Sequence, residues 1–501
     1  MQGNSKSLEE PADLSFNTQA SPEQTSSERI EDRPTDVLQA VSRKDAPVHP
    51  ASSRLSAIVE TCLIIGGLLA IFFLLPRDMK GDGAIRYQDL LQVIIHHRIP
   101  ASRYSLVGPS FALPLVWIGR KLGNPVNWAL VYNQVLFGLS LLVSYVLLRN
   151  HVNRAILRKF YLLLIIASMF VAHLAFFYGE VFTALTVGFG ILIVYLRFAA
   201  PPGWLLIALG VANTPAAIGG LLLLALKRVI DSKRLRYGLI VFAALALIGL
   251  NNWLQNGSPF NSGYGIDVGA KTIMPYSGLP GFSYPIFFGL LSVLLSFGKG
   301  LLFFAPGLLL PVRKTLLSRK EENQIPLYQV YILWIAFLTG LVLVYAHWWG
   351  WYGGVFWGPR YLLFASIPAS FALAIRLLYC KESSLGVNLL TLVVFALSVW
   401  VCIDGAVYQW STSLFNTMPA ICTQNNFNLE MVCYFIPEFS QLWLPFVHHY
   451  ALDVPKMLFM GYIILAAIYL ALPLCLQIGR QTVELLRKYS QVYLPLKGWR
   501  L

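Results

Sequence analysis

Four charged residues stand where an apolar run of this chain meets a polar loop: Asp82, Glu180, Lys299 and Arg360. An ionisable side chain fixed at a membrane boundary is costly to keep unless it has a role. A carboxylate there can take a proton from a hydroxyl or bind a cation, and a basic side chain can hold a phosphate. The residue types therefore predict chemistry at the bilayer surface on a molecule delivered by lipid.

Each acid also has an ordinary structural interpretation. Asp82 lies between Gly81 and Gly83, and it could equally be the N-cap of a helix that begins near Ala84. Glu180 has no basic residue in either adjacent apolar run, so it could be an interfacial carboxylate that points to water. The sequence alone leaves both alternatives open.

The two basic candidates face the same choice. Lys299 lies between two glycines, which would let an anion approach the backbone, but a snorkelling lysine is the alternative. Arg360 suits bidentate phosphate recognition, or else contacts headgroups or the tryptophans beside it. Those tryptophans belong to the run HWWGWYGGVFWGPR, which is typical of an aromatic belt or of a surface that stacks on sugar rings. Weaker candidates are Asp78, Asp89, His96, His97, His347, His448 and His449.

The elements that must position these residues are membrane helices. The chain has 501 residues, 56% of them hydrophobic and only 12% charged, and its mean hydropathy is +0.61. Apolar runs long enough to cross the hydrocarbon core recur along almost its whole length. This pattern predicts an all-α polytopic membrane protein, and the net charge of +14 reflects basic loops rather than nucleic-acid binding.

Twelve crossings are predicted, with both ends cytoplasmic. Residues 203–225 are broken by Asn213-Thr214-Pro215 and are interpreted as two short spans that meet at the outer side. Most Lys and Arg residues outside the N-terminal tail then fall in cytoplasmic segments. The other ten spans are predicted near 55–76, 128–148, 160–178, 181–198, 237–252, 300–312, 327–346, 361–379, 386–403 and 455–478.

The long loops between these spans fall on the outer side and comprise residues 77–127, 253–299, 347–360 and 404–454. In the first of them, DLLQVIIHH and SFALPLVWIG are predicted to form helices that lie on the membrane. Residues 1–53 are predicted to be a disordered cytoplasmic tail, residues 54–480 a catalytic membrane domain, and residues 481–501 a basic cytoplasmic segment.

Two of the six cysteines, Cys422 and Cys433, share one polar loop. Because that loop is predicted to be outside the cytoplasm, we expect a disulfide between them; a metal pair is disfavoured because no nearby Cys or His completes a ligand set. The chain contains no P-loop, GxGxxG, HExxH or GxSxG context, which argues against an ATP-driven or soluble-cofactor enzyme.

Four stretches together resemble the GT-C superfamily of integral-membrane glycosyltransferases, especially the bacterial mannosyltransferase and aminoarabinose-transferase-like group near glycosyltransferase family 39. They recur in the order of that family across residues 55–380. They are GDGAIRY, FYGEVFTAL, QNGSPFNSGYG with LLSFGKGLLFFAPGLLL, and HWWGWYGGVFWGPRYLL. The resemblance implies a GT-C-like bundle and transfer of a sugar from a polyprenyl-phosphate carrier at the outer membrane face.

The resemblance also implies roles for particular residues. Asp82 and Glu180 would be the catalytic acids, Lys299 and Arg360 would bind the donor phosphate, and a divalent metal ion held by the two acids is an alternative. The adjacent Asp-Glu pair of protein O-mannosyltransferases is absent, because Gly83 follows Asp82, and this puts a protein acceptor in doubt. Further substrate-binding residues would be Arg86, Tyr87, Tyr264, His347, Trp348 and Trp349.

These observations predict an inverting hexosyl- or pentosyltransferase of a bacterial plasma membrane that modifies a cell-envelope glycan or glycolipid. Its partners would be the lipid-linked donor, a lipid or glycan acceptor, and membrane lipids. Two alternatives stay open: a lipid-linked glycan flippase or transporter, and a glycan polymerase or ligase. A transporter should place charges along a path through the bilayer, whereas this chain crowds them at one predicted face.

Overall fold

A computed structural model describes residues 54–264, 271–410, 422, 429–447 and 450–493. These residues belong to the second of two units into which the chain divides, residues 52–501. They are mostly helical, and their only β pairing is an isolated bridge between Asp78 and Phe176. The all-α class is therefore confirmed. The predicted disordered tail lies outside the described residues.

The first half of this unit contains twelve α-helices, several of them short. They are α1 (Arg54–Leu74), α2 (Asp82–His96), α3 (Val107–Ser110), α4 (Leu113–Lys121), α5 (Pro125–Leu130), α6 (Tyr132–Leu148), α7 (Arg154–Ile166), α8 (Phe170–Leu174), α9 (Gly179–Ile193), α10 (Ala200–Asn213), α11 (Ile218–Ser232) and α12 (Leu239–Asn256).

The second half adds nine more helices to those described. They are α13 (Ile286–Leu295), α14 (Leu301–Phe304), α15 (Arg313–Ser318), α16 (Leu327–His347), α17 (Ser366–Leu378), α18 (Leu385–Val407), α19 (Glu430–Cys433), α20 (Leu444–Val447) and α21 (Val454–Tyr493).

Seven of the described helical segments are long and apolar enough to cross a membrane. Three shorter apolar helices, α9, α10 and α13, accompany them. A membrane protein is therefore supported, whereas twelve crossings and their orientation stay predictions. The seven are Arg54–Leu74, Pro125–Leu148, Leu235–Asn256, Leu327–His347, Arg360–Leu378, Leu385–Val407 and Val454–Tyr489.

The buried centre is built from α7, α8, α9 and α17, whose side chains are almost all shielded. Around it, α1, α12 and α21 expose many large apolar side chains, as expected of helices whose solvent is lipid. Glycines allow the closest helix contacts. A Cβ atom on Gly340 of α16 would lie 2.2 Å from the carbonyl oxygen of Gly219 on α11, so these helices touch backbone to backbone.

Several elements differ from the sequence prediction. The span predicted at 300–312 is instead the four-residue α14 followed by a 3-10 turn, Pro306–Leu309, because proline cannot donate the hydrogen bond that would continue the helix. The span predicted at 160–178 is divided into α7 and α8. The break predicted at Asn213-Thr214-Pro215 is confirmed, since α10 ends at Asn213 and α11 begins at Ile218.

The last helix also differs from the prediction. Residues 455–478 and the following residues as far as Tyr493 form one continuous helix, α21, of 40 residues. At 1.5 Å per residue it is about 60 Å long, roughly twice the hydrocarbon thickness of a bilayer. Helices are present at both amphipathic runs of the first long loop, as α2 and α4. That they lie along the membrane stays a prediction.

Candidate functional site

Asp82 is the first residue of α2, and its side chain does not cap that helix. The N-cap residue is Gly81, which has a φ of +54° and receives no side-chain cap. A Cβ atom at Gly81 would lie 2.4 Å from the ring of Phe356, so only glycine fits there. The capping interpretation of Asp82 is therefore wrong, and the carboxylate is free to make contacts across the fold.

Glu180 lies in the first turn of α9, and two buried asparagines hold the backbone before it. The side-chain amide of Asn133 donates to the carbonyl oxygens of Phe176 (2.7 Å) and Tyr178 (3.0 Å). The side-chain amide of Asn213 donates to the carbonyl oxygen of Gly179 (2.7 Å). The break after α10 thus has a structural use, because it brings a polar side chain to the start of α9.

Arg360 joins the two acids. Its Nη2 lies 2.7 Å from Oδ2 of Asp82, and its Nη1 lies 3.6 Å from Oε1 of Glu180. Its Nε donates to the carbonyl oxygen of Gly353 at 2.8 Å. Residues far apart in the sequence therefore meet at one guanidinium, at the start of the candidate span Arg360–Leu378. We call Asp82, Glu180 and Arg360 the acid–arginine cluster.

Aromatic rings surround this guanidinium. The ring centroids of Phe356, Tyr361 and Tyr178 lie 4.7, 4.9 and 5.4 Å from its central carbon. Arg360 is 4% exposed, whereas the side chains of Asp82 and Glu180 are 22% and 12% exposed. The cluster is therefore sealed on the arginine side and reachable on the carboxylate side.

The cluster retains unused hydrogen-bond donors. Nη1 of Arg360 and the hydroxyl of Tyr178 are buried, and neither has a hydrogen-bond partner among the described residues. Buried polar groups are normally hydrogen-bonded, so two unmet donors beside one another need an explanation. An acceptor-rich group bound at this place would supply it.

The ionisation of Asp82 is set by opposing effects. Burial alone would raise the pKa of this carboxyl, but the charge of Arg360 and the hydroxyl of Tyr104 outweigh burial and lower it. Tyr104 donates to Oδ1 of Asp82 at 2.8 Å. Burial and the nearby carboxylate in turn raise the pKa of Tyr104 far above its usual range. Asp82 is thus a carboxylate with both oxygens occupied.

Lys299 makes different contacts from those expected of a phosphate ligand. It is 1% exposed. Its ammonium donates to the carbonyl oxygens of Gly354 (3.0 Å), Phe356 and Gly358 (3.1 Å). In this arrangement its donors serve the loop that precedes Arg360. Donor-phosphate binding by Lys299 stays a prediction.

Arg86, Tyr87 and Tyr264 have different surroundings. The guanidinium of Arg86 lies 5.0 Å from the ring of Tyr104 and donates to the carbonyl oxygen of Ser105 at 3.2 Å. Tyr87 is buried in an apolar cluster beside α2. Burial raises the pKa of Tyr264 to about 12, and the nearby charge of Asp82 contributes to that rise. Arg86 and Tyr264 are thus close enough to influence Asp82.

The aromatic residues His347, Trp348 and Trp349 form a separate group at the end of α16. Nδ1 of His347 donates to the carbonyl oxygen of Tyr284 at 2.6 Å, which occupies that nitrogen. The rings of Trp348 and Trp349 lie 5.9 Å apart, and Trp348 contacts Tyr264 at 5.9 Å. Tyr264 therefore connects this aromatic group to the surroundings of Asp82.

The weaker candidates that the structure describes form no ion pair with Arg360. His96 and His97 are at the far end of α2, about 20 Å from Asp82 at 1.5 Å per residue. Asp78 pairs with Lys80 at 2.5 Å. Asp89 is buried, and burial raises the pKa of its carboxyl. The candidates His448 and His449 lie outside the described residues.

The predicted disulfide is present, with the Cα atoms of Cys422 and Cys433 6.1 Å apart. A metal site fits less well. The described residues contain no group of three His, Cys, Asp or Glu side chains that could hold a metal ion. Asp82 and Glu180 are bridged by a guanidinium instead, and this arrangement does not fit a metal ion held between the two acids.

Two residues at this site were missed by the sequence reasoning. Tyr178 belongs to the motif FYGEVFTAL, but in that motif only Glu180, two residues later, carries a charge that marks it as a candidate. Tyr104 carried no signal, because it follows no recognisable pattern and reaches Asp82 only through the fold of the loop after α2.

Comparisons of the chain with models of protein families, with curated proteins and with solved structures found no match. The resemblance to the GT-C superfamily therefore remains a hypothesis from sequence motifs.

Proposed function

We propose that this protein is a membrane glycosyltransferase that moves one sugar from a polyprenyl-phosphate donor to a hydroxyl acceptor. The observation that carries the proposal is the acid–arginine cluster, in which Arg360 contacts both Asp82 and Glu180. Sugar transfer from a lipid phosphate needs a base for the acceptor and a cation for the leaving group. Three distant motifs supply these groups at one place.

The reaction is a single displacement. The acceptor oxygen attacks the anomeric carbon from the face opposite the phosphate, and the carbon–oxygen bond to the phosphate breaks. The proton of the acceptor hydroxyl passes to the carboxylate of Asp82, and the electron pair of the broken bond leaves on the polyprenyl phosphate. Arg360 stabilises the negative charge that grows on the leaving oxygen. The product has inverted anomeric configuration.

Donor binding prepares the base. Without donor, Arg360 occupies Oδ2 of Asp82, and a carboxylate paired in this way is a weak base. A phosphate that enters from the exposed carboxylate side competes for the guanidinium and takes the unused donors, Nη1 of Arg360 and the hydroxyl of Tyr178. Asp82 then loses its cation and becomes more basic next to the acceptor.

The membrane setting agrees with this function. A polyprenyl donor must reach the site from lipid, and Arg360 begins one of the seven candidate spans. We place the site on the outer face of a bacterial plasma membrane, with a lipid or glycan acceptor of the cell envelope, on the charge distribution of the loops.

The test uses the full-length protein in closed lipid vesicles with a series of polyprenyl-phosphate sugars and detects released polyprenyl phosphate. We expect release with at least one donor, and loss of release in Asp82→Asn. The matched control is Asp453→Asn, which changes an aspartate whose side chain is 56% exposed. Equal release by Asp82→Asn and wild type would refute the assignment of the base. Movement of intact lipid-linked sugar across the bilayer without release would instead favour a flippase.

A further inference from the structure

The loop before Arg360 has an irregular backbone that contains three glycines with positive φ. Gly353, Gly354 and Gly358 have φ values of +73°, +76° and +64°, which other residues rarely adopt. No regular helix forms between the end of α16 at His347 and the turn that begins at Arg360. We call residues 353–358 the glycine loop. Its conformation must come from contacts with other parts of the chain.

Lys299 supplies three of those contacts. Its ammonium donates to the carbonyl oxygens of Gly354, Phe356 and Gly358, which alternate along the glycine loop. An ammonium has three N–H donors, so one side chain can gather three carbonyls that would otherwise repel one another. Because Lys299 is 1% exposed, these charge-assisted bonds are shielded from water.

Tyr434 supports the same place from the other side. Its hydroxyl donates to the carbonyl oxygen of Gly354 at 3.0 Å, and its ring centroid lies 5.1 Å from the ammonium of Lys299. Its own carbonyl oxygen accepts from the backbone N–H of Gly298 at 2.9 Å. Tyr434 directly follows Cys433, whose disulfide to Cys422 limits how far this segment can move.

Two more side chains complete the support. Asp404, buried on α18, accepts from the indole N–H of Trp357 at 2.7 Å. Gln441 accepts from the backbone N–H of Gly358 at 3.3 Å. The glycine loop is thus fixed at four of its six residues, 354 and 356–358, by groups that are distant in sequence.

One hydrogen bond connects the glycine loop directly to the acid–arginine cluster. The carbonyl oxygen of Gly353, next to the first fixed residue, accepts from Nε of Arg360 at 2.8 Å. Phe356 lies in the same loop, and its ring faces the guanidinium at 4.7 Å. The position of Arg360 on Asp82 therefore depends on the shape of the glycine loop.

We infer that Lys299 and Tyr434 are positioning residues that, through the glycine loop, hold Arg360 on Asp82 and Glu180. This differs from direct phosphate binding by Lys299. Its consequence for catalysis rests on the proposed function, but its structural consequence does not. If the contacts of Lys299 or Tyr434 with the glycine loop are removed, Arg360 moves away from Asp82. Asp82 then loses the positive charge that keeps its carboxylate ionised.

The test measures the ionisation of Asp82 directly. The infrared band of this carboxylate is obtained as the difference between a ¹³C-aspartate-labelled protein and its Asp82→Asn variant, and it is titrated with pH. The groups that face Asp82 and must stay unchanged are Arg86, Tyr104, Tyr178, Glu180, Tyr264, Arg360 and Tyr361. A merely structural role of Lys299 would lower thermal stability without moving this midpoint.

The variants are Lys299→Met and the milder Tyr434→Phe, with Lys271→Met as the exposed-lysine control. Loss of a nearby cation raises the pKa of a carboxylate by about one to three units. If Arg360 moves away in Lys299→Met, we therefore expect the titration midpoint of Asp82 to rise by that amount. A smaller upward shift is expected in Tyr434→Phe, which keeps the ring and the disulfide, and none in Lys271→Met. If Lys299→Met fails to fold, Tyr434→Phe alone decides.

An Asp82 midpoint in folded Lys299→Met or Tyr434→Phe equal to that of wild type would overturn the inference. A second readout is the binding of farnesyl phosphate, which should weaken in both variants. If the wild-type protein releases no phosphate from any donor, the proposed function fails, yet the titration still reports on the positioning of Arg360. The two failures are therefore distinguishable.

Discussion

Two buried ion clusters of this molecule have opposite compositions. Near the start of α1, Glu60 is bound by two cations of α7: Nε of Arg158 and Nζ of Lys159 each lie 2.7 Å from one of its oxygens. In the acid–arginine cluster, one cation is shared by two acids, at 2.7 and 3.6 Å. The first has one acid to two bases, and the second has two acids to one base.

The two clusters differ in whether their charged groups have contact capacity left for a bound molecule. The side chains of Glu60 and Arg158 are only 2% and 6% exposed, and both oxygens of the carboxylate are bound at short distance. The acid–arginine cluster has partly exposed carboxylates and, within the described part of the chain, a buried N–H donor that makes no hydrogen bond. Breaking the first should disrupt packing of α1 on α7, whereas breaking the second should disrupt chemistry.

The largest expected effect is on activity, at Asp82. Asp82→Asn keeps the size of the side chain but removes the base, and general base catalysis contributes about 10²- to 10⁴-fold. We expect sugar transfer to fall by that factor while the amount of folded protein stays close to wild type. Released polyprenyl phosphate per folded molecule is the measurement, with Asp453→Asn as control.

The counterpart in the first cluster is Glu60→Gln. It leaves Arg158 and Lys159 buried without a carboxylate, and breaking a buried ion pair costs about 3–5 kcal/mol. We expect a marked loss of stability in thermal unfolding of the detergent-solubilised protein. Transfer by the molecules that remain folded should be unchanged. A Glu60→Gln protein that is stable but inactive would contradict the distinction between the two clusters.

This comparison also shows what sequence reasoning can reach. Asp82, Glu180 and Arg360 can be selected from the sequence because charges are conspicuous at the ends of apolar runs, and the structure brings these three side chains together. Glu60 was missed, because one acid inside an apolar run gives no hint that cations 98 and 99 residues later will bind it. The helical class and the disulfide followed from composition and loop placement, since both depend on local chemistry.

Other features required the fold itself. Lys299 carries the right charge for a phosphate ligand, but only the structure shows that its ammonium holds the glycine loop. The breaks at Ala167–Met169 and after Phe304 escaped prediction, because apolar periodicity does not distinguish one helix from two short ones. Hydropathy predicts whether a segment is apolar enough to contact lipid more reliably than it predicts where each helix ends.

An intermediate effect on sugar transfer is expected at Tyr104, whose neutral hydroxyl donates one hydrogen bond to the carboxylate of Asp82. Tyr104→Phe retains the ring stacked with Arg86 and removes only the hydroxyl. A hydrogen bond to a charged group contributes about 1.5–3 kcal/mol, so we expect transfer to fall by a factor of about 10 to 100. The pKa of Asp82 should rise, which moves the acid limb of the pH–rate profile upward. An unchanged acid limb would show that Tyr104 does not orient Asp82.

The smallest effect concerns stability and pH. Because Arg360 and Tyr104 lower the pKa of Asp82 in the folded state despite burial, the folded chain binds a proton there less readily than the unfolded chain. The stabilisation by ionised Asp82 is therefore complete above the pKa of an unfolded aspartate, about 4, and is lost as the pH falls through the lower folded value. The difference in melting temperature between wild type and Asp82→Asn should accordingly be constant near neutral pH and shrink below about pH 4. A difference that already shrinks between pH 7 and pH 5 would mean that burial outweighs Arg360. Asp82 would then resemble an isolated buried acid more than a member of a cation-paired site.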